Sequence, residues 1–253
     1  MKQLLFVCLL LTAAAAQTFG SQSVDLLLVA ADDATLAPVL ARLENSRTET
    51  HAAWTLWTGK LGEKSAVIAR SEGDPLNAVA ATTLALRSYS PRLIFVFGTA
   101  RPHDLALQAG DVIISNGFAA FDGIISPPVE LGHGTHPLDW EKLPHPLMTA
   151  GEKEVPTELF PADAHAREIA LSLSRADRRV VEGVLGSASQ INREADRIAY
   201  VRSQWRTSTE DGESAHIAGC AALFGIPVVG ARVVNGTPAA AADFALEFLS
   251  HWK

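Results

Sequence analysis

Cysteine is nearly absent: the 253 residues hold two, Cys8 and Cys220. They could close one disulfide at most, and none if the stretch carrying Cys8 is cleaved away, so stability has to come from a core. Aromatic residues are also scarce, at 7% against 48% hydrophobic, which leaves a core built of Ala, Leu and Val. Basic runs are missing, and 21 Lys and Arg face 28 Asp and Glu for a net charge of −7. Contact with a phosphate backbone needs clustered cations, so a nucleic-acid partner is excluded. No apolar run is long enough to span a bilayer, which excludes a helical membrane span.

One short apolar run opens the chain. Lys2, the apolar residues 4–11, Thr12 and four alanines before Gln17 form the three parts of a secretory signal peptide, with cleavage expected after Ala16. The expectation is an exported protein, periplasmic or secreted, whose mature part is residues 17–253 with no membrane anchor.

Beyond the leader the pattern is α/β in one domain. The run 24–30 (VDLLLVA) reads as a strand buried on both faces. Asp32 or Asp33 caps a helix carrying Leu36, Val39, Leu40 and Leu43 at helical spacing. Residues 54–57 and 65–69 read as a hairpin turning through 59–63. Gly73-Asp74-Pro75 opens an Ala-rich helix that runs to about Tyr89 and stops before Pro91. Residues 93–97 form another buried strand that ends in Gly98-Thr99-Ala100, where small side chains let a ligand approach the backbone. Residues 111–115 continue the sheet. The segment 116–160, crowded with proline, reads as a long loop or lid. Helix and strand then alternate over 164–174, 180–185, 193–201, 213–224, 228–234 and 239–251.

Three separated motifs carry a family resemblance: LIFVFGTA at 93–100 with LQAGDVIIS at 107–115, EDGESAHIA at 210–218 with LFGIP at 223–227, and the strand ending RVVN at 232–235. Together with AADD at 30–33 and the segment 187–192, they resemble the purine nucleoside phosphorylase and nucleosidase superfamily. The likeness is nearest to its methylthioadenosine and adenosylhomocysteine nucleosidase branch and covers nearly the whole mature chain. It implies a three-layer αβα phosphorylase/hydrolase-like fold around a central mixed β-sheet, cleavage of an N-ribosidic bond, no cofactor or metal, and a homodimer. The partner implied is a nucleoside or purine, with phosphate if the reaction is phosphorolysis. A nucleoside-binding protein without catalysis is the alternative from another class.

The resemblance also implies site residues. Glu213, beside Gly212, would accept the ribose hydroxyls, a role a carboxylate at a helix start suits chemically; an ordinary first-turn glutamate is the plainer reading. Gly98, Thr99 and Ala100 would line the pocket, and Gln190 and Ile191 would meet the base, although Gln190 stands where the family has a stacking aromatic. Phe118, Phe121 and Trp140 are candidate replacements for that ring. Asn235 or, with a one-residue gap, Gly236 stands where the family's acidic strand end protonates the purine, and neither is an acid; the Asn235 amide could still bond N7, with a turn through Asn235-Gly236 the competing role. The water-activating glutamate aligns with Ala34, leaving Asp32 or Asp33 as the base, unless both serve only as helix caps. Arg101 is placed to meet phosphate or a carboxylated substrate, or else to pair with Asp104. His133, His136 and His145 lack the spacing of a metal site. Cys220 reads as a small buried hydrophobe.

Overall fold

A computed structural model describes residues 22–148, 154–174 and 176–253 of the chain. The signal-peptide reading of residues 1–16 lies outside the described residues. Among those described, no helix is long and apolar enough to cross a membrane.

The first strand, β1 (Gln22–Ala30), pairs in parallel with β4 (Lys64–Arg70) and β5 (Tyr89–Pro102). Its alternate residues enter different cores: Leu26 and Leu28 join one cluster, Leu27 and Val29 the other. That two-sided burial explains the unbroken apolar run. The helix α1 (Asp33–Leu40) begins where Asp32 accepts the Thr35 backbone N–H at 2.8 Å. The hairpin of β3 (Trp54–Leu61) and β4 forms as expected. Ahead of it stands β2 (Glu44–His51), whose residues are nearly all polar and mostly exposed; it pairs only with β3 at the sheet edge, so no hydrophobic period announces it. Asp74 caps α2 (Pro75–Ser88), accepting from the N–H groups of Leu76 and Asn77.

Strand β5 does not end at Gly98; it continues to Pro102. Likewise β6 (Val112–Ala120) takes in residues 116–120 of the expected lid. The remainder of that segment is sparse: β7 (Ile124–Ile125) pairs with β8 (Glu141–Lys142), β9 (His145–Leu147) with β10 (Val155–Thr157), and a 3-10 turn covers Pro137–Asp139. Then follow β11 (Phe160–Pro161), α3 (Ala164–Leu171), β12 (Val180–Ser187), α4 (Ala195–Trp205), β13 (Thr207–Asp211), α5 (Ser214–Phe224), β14 (Val228–Val234) and α6 (Pro238–His251).

The sheet runs β11-β6-β12-β13-β5-β1-β4-β3-β2, with β14 bridging β5 and β6. Because β13 also meets the far end of β5 antiparallel, the strands β5, β14, β6, β12 and β13 close into a ring. Helices α1 and α6 pack together over one face of the sheet, α2 and α5 over the other, giving a three-layer αβα fold around a mixed sheet.

Candidate functional site

Where the strand ends meet, a cleft of about 670 Å³ opens. Its walls are the turns after β1, β4 and β12, the end of β5 from Gly98 to Arg101, the β13–α5 junction from Glu210 to Glu213, and the end of β14. The two ends of β5 residues are set by register: Gly98 lies beside Arg232, while Arg101 lies opposite Glu210 and one step past the Ala100–Val234 pair that leads to Asn235.

The floor is a buried charge cluster. Arg232, 1% exposed, donates from Nε to Asp211 at 3.0 Å and from Nη2 to Glu213 at 2.9 Å, and both nitrogens also reach the Ser214 hydroxyl. Asp211 further accepts the backbone N–H groups of Glu213 and Ser214 and the hydroxyls of Ser187 and Ser214, so it anchors the start of α5. Burial works against its charge, but Arg232 and these donors hold its carboxyl below the ordinary range. Glu213 goes the other way: burial pushes its carboxyl up, Arg232 opposes the rise and Asp211 adds to it. The Ser71 hydroxyl bonds the second Glu213 oxygen. Gly98 is required here, because a Cβ would sit 2.1 Å from Arg232 Nη1.

The other end of the cleft is held by Glu210. It accepts the Asn192 backbone N–H at 3.1 Å, the Asn192 amide at 2.7 Å and His103 Nε2 at 3.0 Å, with the other His103 nitrogen bonded to Thr207 Oγ1. Burial raises the Glu210 carboxyl, but these bonds outweigh it and the net direction is down. Arg101 Nη1 lies 3.7 Å from Glu210.

The structure brings Asp32, Gly98, Thr99, Ala100, Arg101, Gln190, Ile191, Gly212, Glu213 and Asn235 to this one cleft. Asp33 is not among them: its exposed carboxylate turns away to pair with Arg70 at 2.6 Å. Arg101 pairs with Glu210 rather than Asp104, whose carboxylate is taken by Arg202 at 2.7 Å. Phe118, on β6, and Phe121, just after it and packed with Val201 and Trp205, are wholly buried in the core and cannot stack on a base. Trp140 packs near the Arg197 guanidinium beside a separate surface hollow, and no described residue of 116–160 lines the cleft. Asn235 has φ 43°, the left-handed turn conformation, and its backbone N–H bonds Ala100 O at 2.9 Å. Asp32 does cap α1, through one oxygen.

Among the described residues, no group of three or more His, Cys, Asp and Glu side chains is placed to hold a metal ion. Cys220 is buried against Thr83 with its thiol pushed up by burial, the state of a structural cysteine. Sequence reasoning assigned no role to Arg232, Asp211, Ser71 or His103. Only Arg232 left a signal: a lone cation inside the apolar strand VVGARVV has to be paired when buried.

Residues 25–252 match the family described as the phosphorylase superfamily. A 5′-methylthioadenosine/S-adenosylhomocysteine nucleosidase of Bacillus pumilus is 26% identical over 77% of this chain and 78% of its own length. One from a Marinomonas species is 33% identical over 35% of this chain and 38% of its own length. Among solved structures, the same enzyme from Neisseria meningitidis in complex with methylthio-immucillin-A superposes with a TM-score of 0.73 at 18% identity, covering 91% of this chain and all of that one. At that identity the superposition speaks for the fold.

Proposed function

The chain belongs to the phosphorylase superfamily, and on that premise we propose that it hydrolyses the N-ribosidic bond of a purine nucleoside, the reaction type of its nucleosidase relatives. The observation that carries this reading is Glu213, a buried carboxylate on the cleft floor, fixed by Arg232 and Ser71 next to Gly98. Each carboxylate oxygen has lone pairs to spare, so ribose hydroxyls can donate to Glu213 without displacing either partner.

In the reaction the C1′–N9 bond breaks and its electron pair leaves with the base, while positive charge builds on the sugar. Five carboxylates line the cleft, those of Asp32, Asp74, Glu210, Asp211 and Glu213, against the two guanidinium groups of Arg101 and Arg232. That surplus stabilises the sugar cation. Water then bonds C1′ and gives its proton to Asp32, whose second oxygen has no protein partner among the described residues. The Asn235 side chain faces the departing base from the strand end, and the base takes its proton from solvent. The same surplus of negative charge disfavours a phosphate dianion, so hydrolysis is preferred to phosphorolysis.

A second reading, binding without turnover, is favoured by one observation: the strand end offers Asn235 and Gly236 and no acid. Incubating the protein with adenosine, inosine, methylthioadenosine and adenosylhomocysteine, with and without phosphate, and following free base separates these. Release without phosphate supports hydrolysis, release only with phosphate makes it a phosphorylase, and tight binding without release makes it a binding protein. Export is proposed from the leader pattern; mass spectrometry of the native protein should find its first residue near Gln17, and an intact Met1 on a cytoplasmic form would remove the proposal. A homodimer is proposed from the family resemblance, and light scattering that gives a monomer mass would overturn it.

A further inference from the structure

The two ends of the cleft differ in chemistry, and β5 sets the distance between them. From Gly98, beside Arg232 and Glu213, to Arg101 the strand advances three residues, about 10 Å at a rise of ~3.3 Å per residue. That is comparable to the span from a ribose to the far edge of its purine. With Glu213 holding the ribose, the far edge falls at Arg101, which is flanked on one side by Glu210 and on the other by Asn235.

Of these three, Arg101 and Asn235 are exposed, and Arg101 is the one whose planar fork can donate to two adjacent acceptors at once. Glu210 is 4% exposed and already accepts from Asn192 twice and from His103. Arg101 has a side chain 52% exposed, and among the described residues its only partner is Glu210 at 3.7 Å, a contact that aims the guanidinium along the cleft wall without using its fork. A guanidinium is donor only and planar, so it matches two adjacent acceptors. A 6-oxopurine presents such a pair at N7 and O6; a 6-aminopurine presents an acceptor beside an N–H donor, which a guanidinium cannot satisfy at both positions.

We propose that Arg101 is the specificity-determining residue of the cleft and that it selects a nucleoside with a 6-oxopurine base, by donating to N7 and O6 of that base. The inference rests on the nucleoside reading given above, and it sets this chain apart from relatives named for methylthioadenosine, a 6-aminopurine nucleoside. Because N7 and O6 gain negative charge as the base leaves, the same contact puts a fixed cation where the strand end lacks an acid. No proton moves to or from Arg101; it stabilises the electron pair that the C1′–N9 bond releases.

The test compares hypoxanthine with adenine in calorimetry, and inosine with adenosine in base release, for the full chain and its Arg101→Gln and Arg101→Lys variants. The wild type should bind hypoxanthine more tightly than adenine. Arg101→Gln should move that ratio toward adenine by roughly ten- to a hundredfold, since a glutamine amide offers the donor and acceptor that adenine's N7 and N6 require. Arg101→Lys keeps the charge without the fork and should fall between. Thermal melting, which reports a merely structural role, should stay near wild type because Arg101 is half-exposed. A wild-type preference for adenine, equal losses for both bases in Arg101→Gln, or binding of neither base overturns the proposal. Preferential binding of hypoxanthine without cleavage of any nucleoside would remove the hydrolase reading and leave Arg101 as the base reader. Cleavage with a ratio indifferent to Arg101 would do the reverse.

Discussion

Gly98→Ala tests the architecture of the cleft floor at its tightest point. The added methyl would lie 2.1 Å from Arg232 Nη1, and Arg232 cannot yield cheaply because it is 1% exposed and bonded to Asp211, Glu213 and Ser214. Forcing a methyl into a packed site costs about 1–3 kcal/mol. If the guanidinium turns aside and gives up one bond to a carboxylate, a further ~1.5–3 kcal/mol is lost, for about 2.5–6 kcal/mol in all. Urea unfolding should show the midpoint falling with an unchanged slope. Nucleoside affinity should fall with it, because Glu213 loses the partner that fixes it. The control is the same substitution in an Arg232→Lys background, where the shorter head leaves room for the methyl and the cost should drop to about 1 kcal/mol, a coupling that a double-mutant cycle isolates. A Gly98→Ala protein within about 0.5 kcal/mol of wild type, or an equal cost in both backgrounds, would refute the reasoning.

Further outcomes follow from the same geometry. Glu213→Ala should cost roughly 2–4 kcal/mol of nucleoside binding, the scale of two charge-assisted hydrogen bonds, and far less for the free base; equal losses in calorimetry would assign Glu213 another role. Asn235→Asp keeps a residue type that tolerates φ 43° and supplies an acid near N7, so adenosine release should gain within the roughly 10²–10⁴-fold range of general acid catalysis and the gain should fade as pH rises. Unchanged rates in a folded Asn235→Asp protein would make the residue a turn and nothing more. Arg179 holds the Asp111 carboxyl below its ordinary range, so that pair stabilises the fold above the unfolded aspartate range and the contribution disappears as pH falls through the lower folded value. Asp111→Asn should therefore be less stable than wild type near neutral pH, with the difference closing in acid; a difference that widens in acid contradicts the assignment.

The elements that hydrophobic period announces are the ones the sequence made readable. Strand β14 falls on the expected residues 228–234, all buried, and α2 starts at the expected Asp74-Pro75 signal. Where burial comes from the sheet's closure instead, the pattern misleads. Gly98, Thr99 and Ala100 look like the end of a strand because their side chains are small, yet pairing with β14 and β13 carries β5 on to Pro102. The short strand TSTED at β13 is polar because its side chains bond groups brought in by other elements, with Thr207 meeting His103 and Asp211 meeting Arg232. In the site, residues bound to a recognisable motif were legible, Glu213 above all. Asp211, two positions away, was not, since its role depends on Arg232, Ser187 and Ser214, which only the fold brings to it.

This contrast also separates what the cleft can vary from what it cannot. On the proposed ribose side there is no spare room: a Cβ at Gly98 meets the buried Arg232 side chain at 2.1 Å, and a Cβ at Gly212 meets the Gly73 carbonyl at 2.0 Å. Substitution there disturbs the charge cluster and the packing of α5 against the sheet at once, so residue identity is dictated by stability as much as by chemistry. On the proposed base side Arg101, Gln190 and Asn235 are exposed with few protein partners, and exchanging them should cost the fold little. A chain of this fold can therefore keep its ribose floor while the groups that meet the base change. Gln190 and Asn235, where the resemblance implies departures from the nucleosidase pattern, fall on that permissive side, whereas Glu213 stands on the constrained one. On the proposed reading, recognition of the sugar and choice of the base are physically separable, so that Arg101 would set the base preference without altering how the ribose is held.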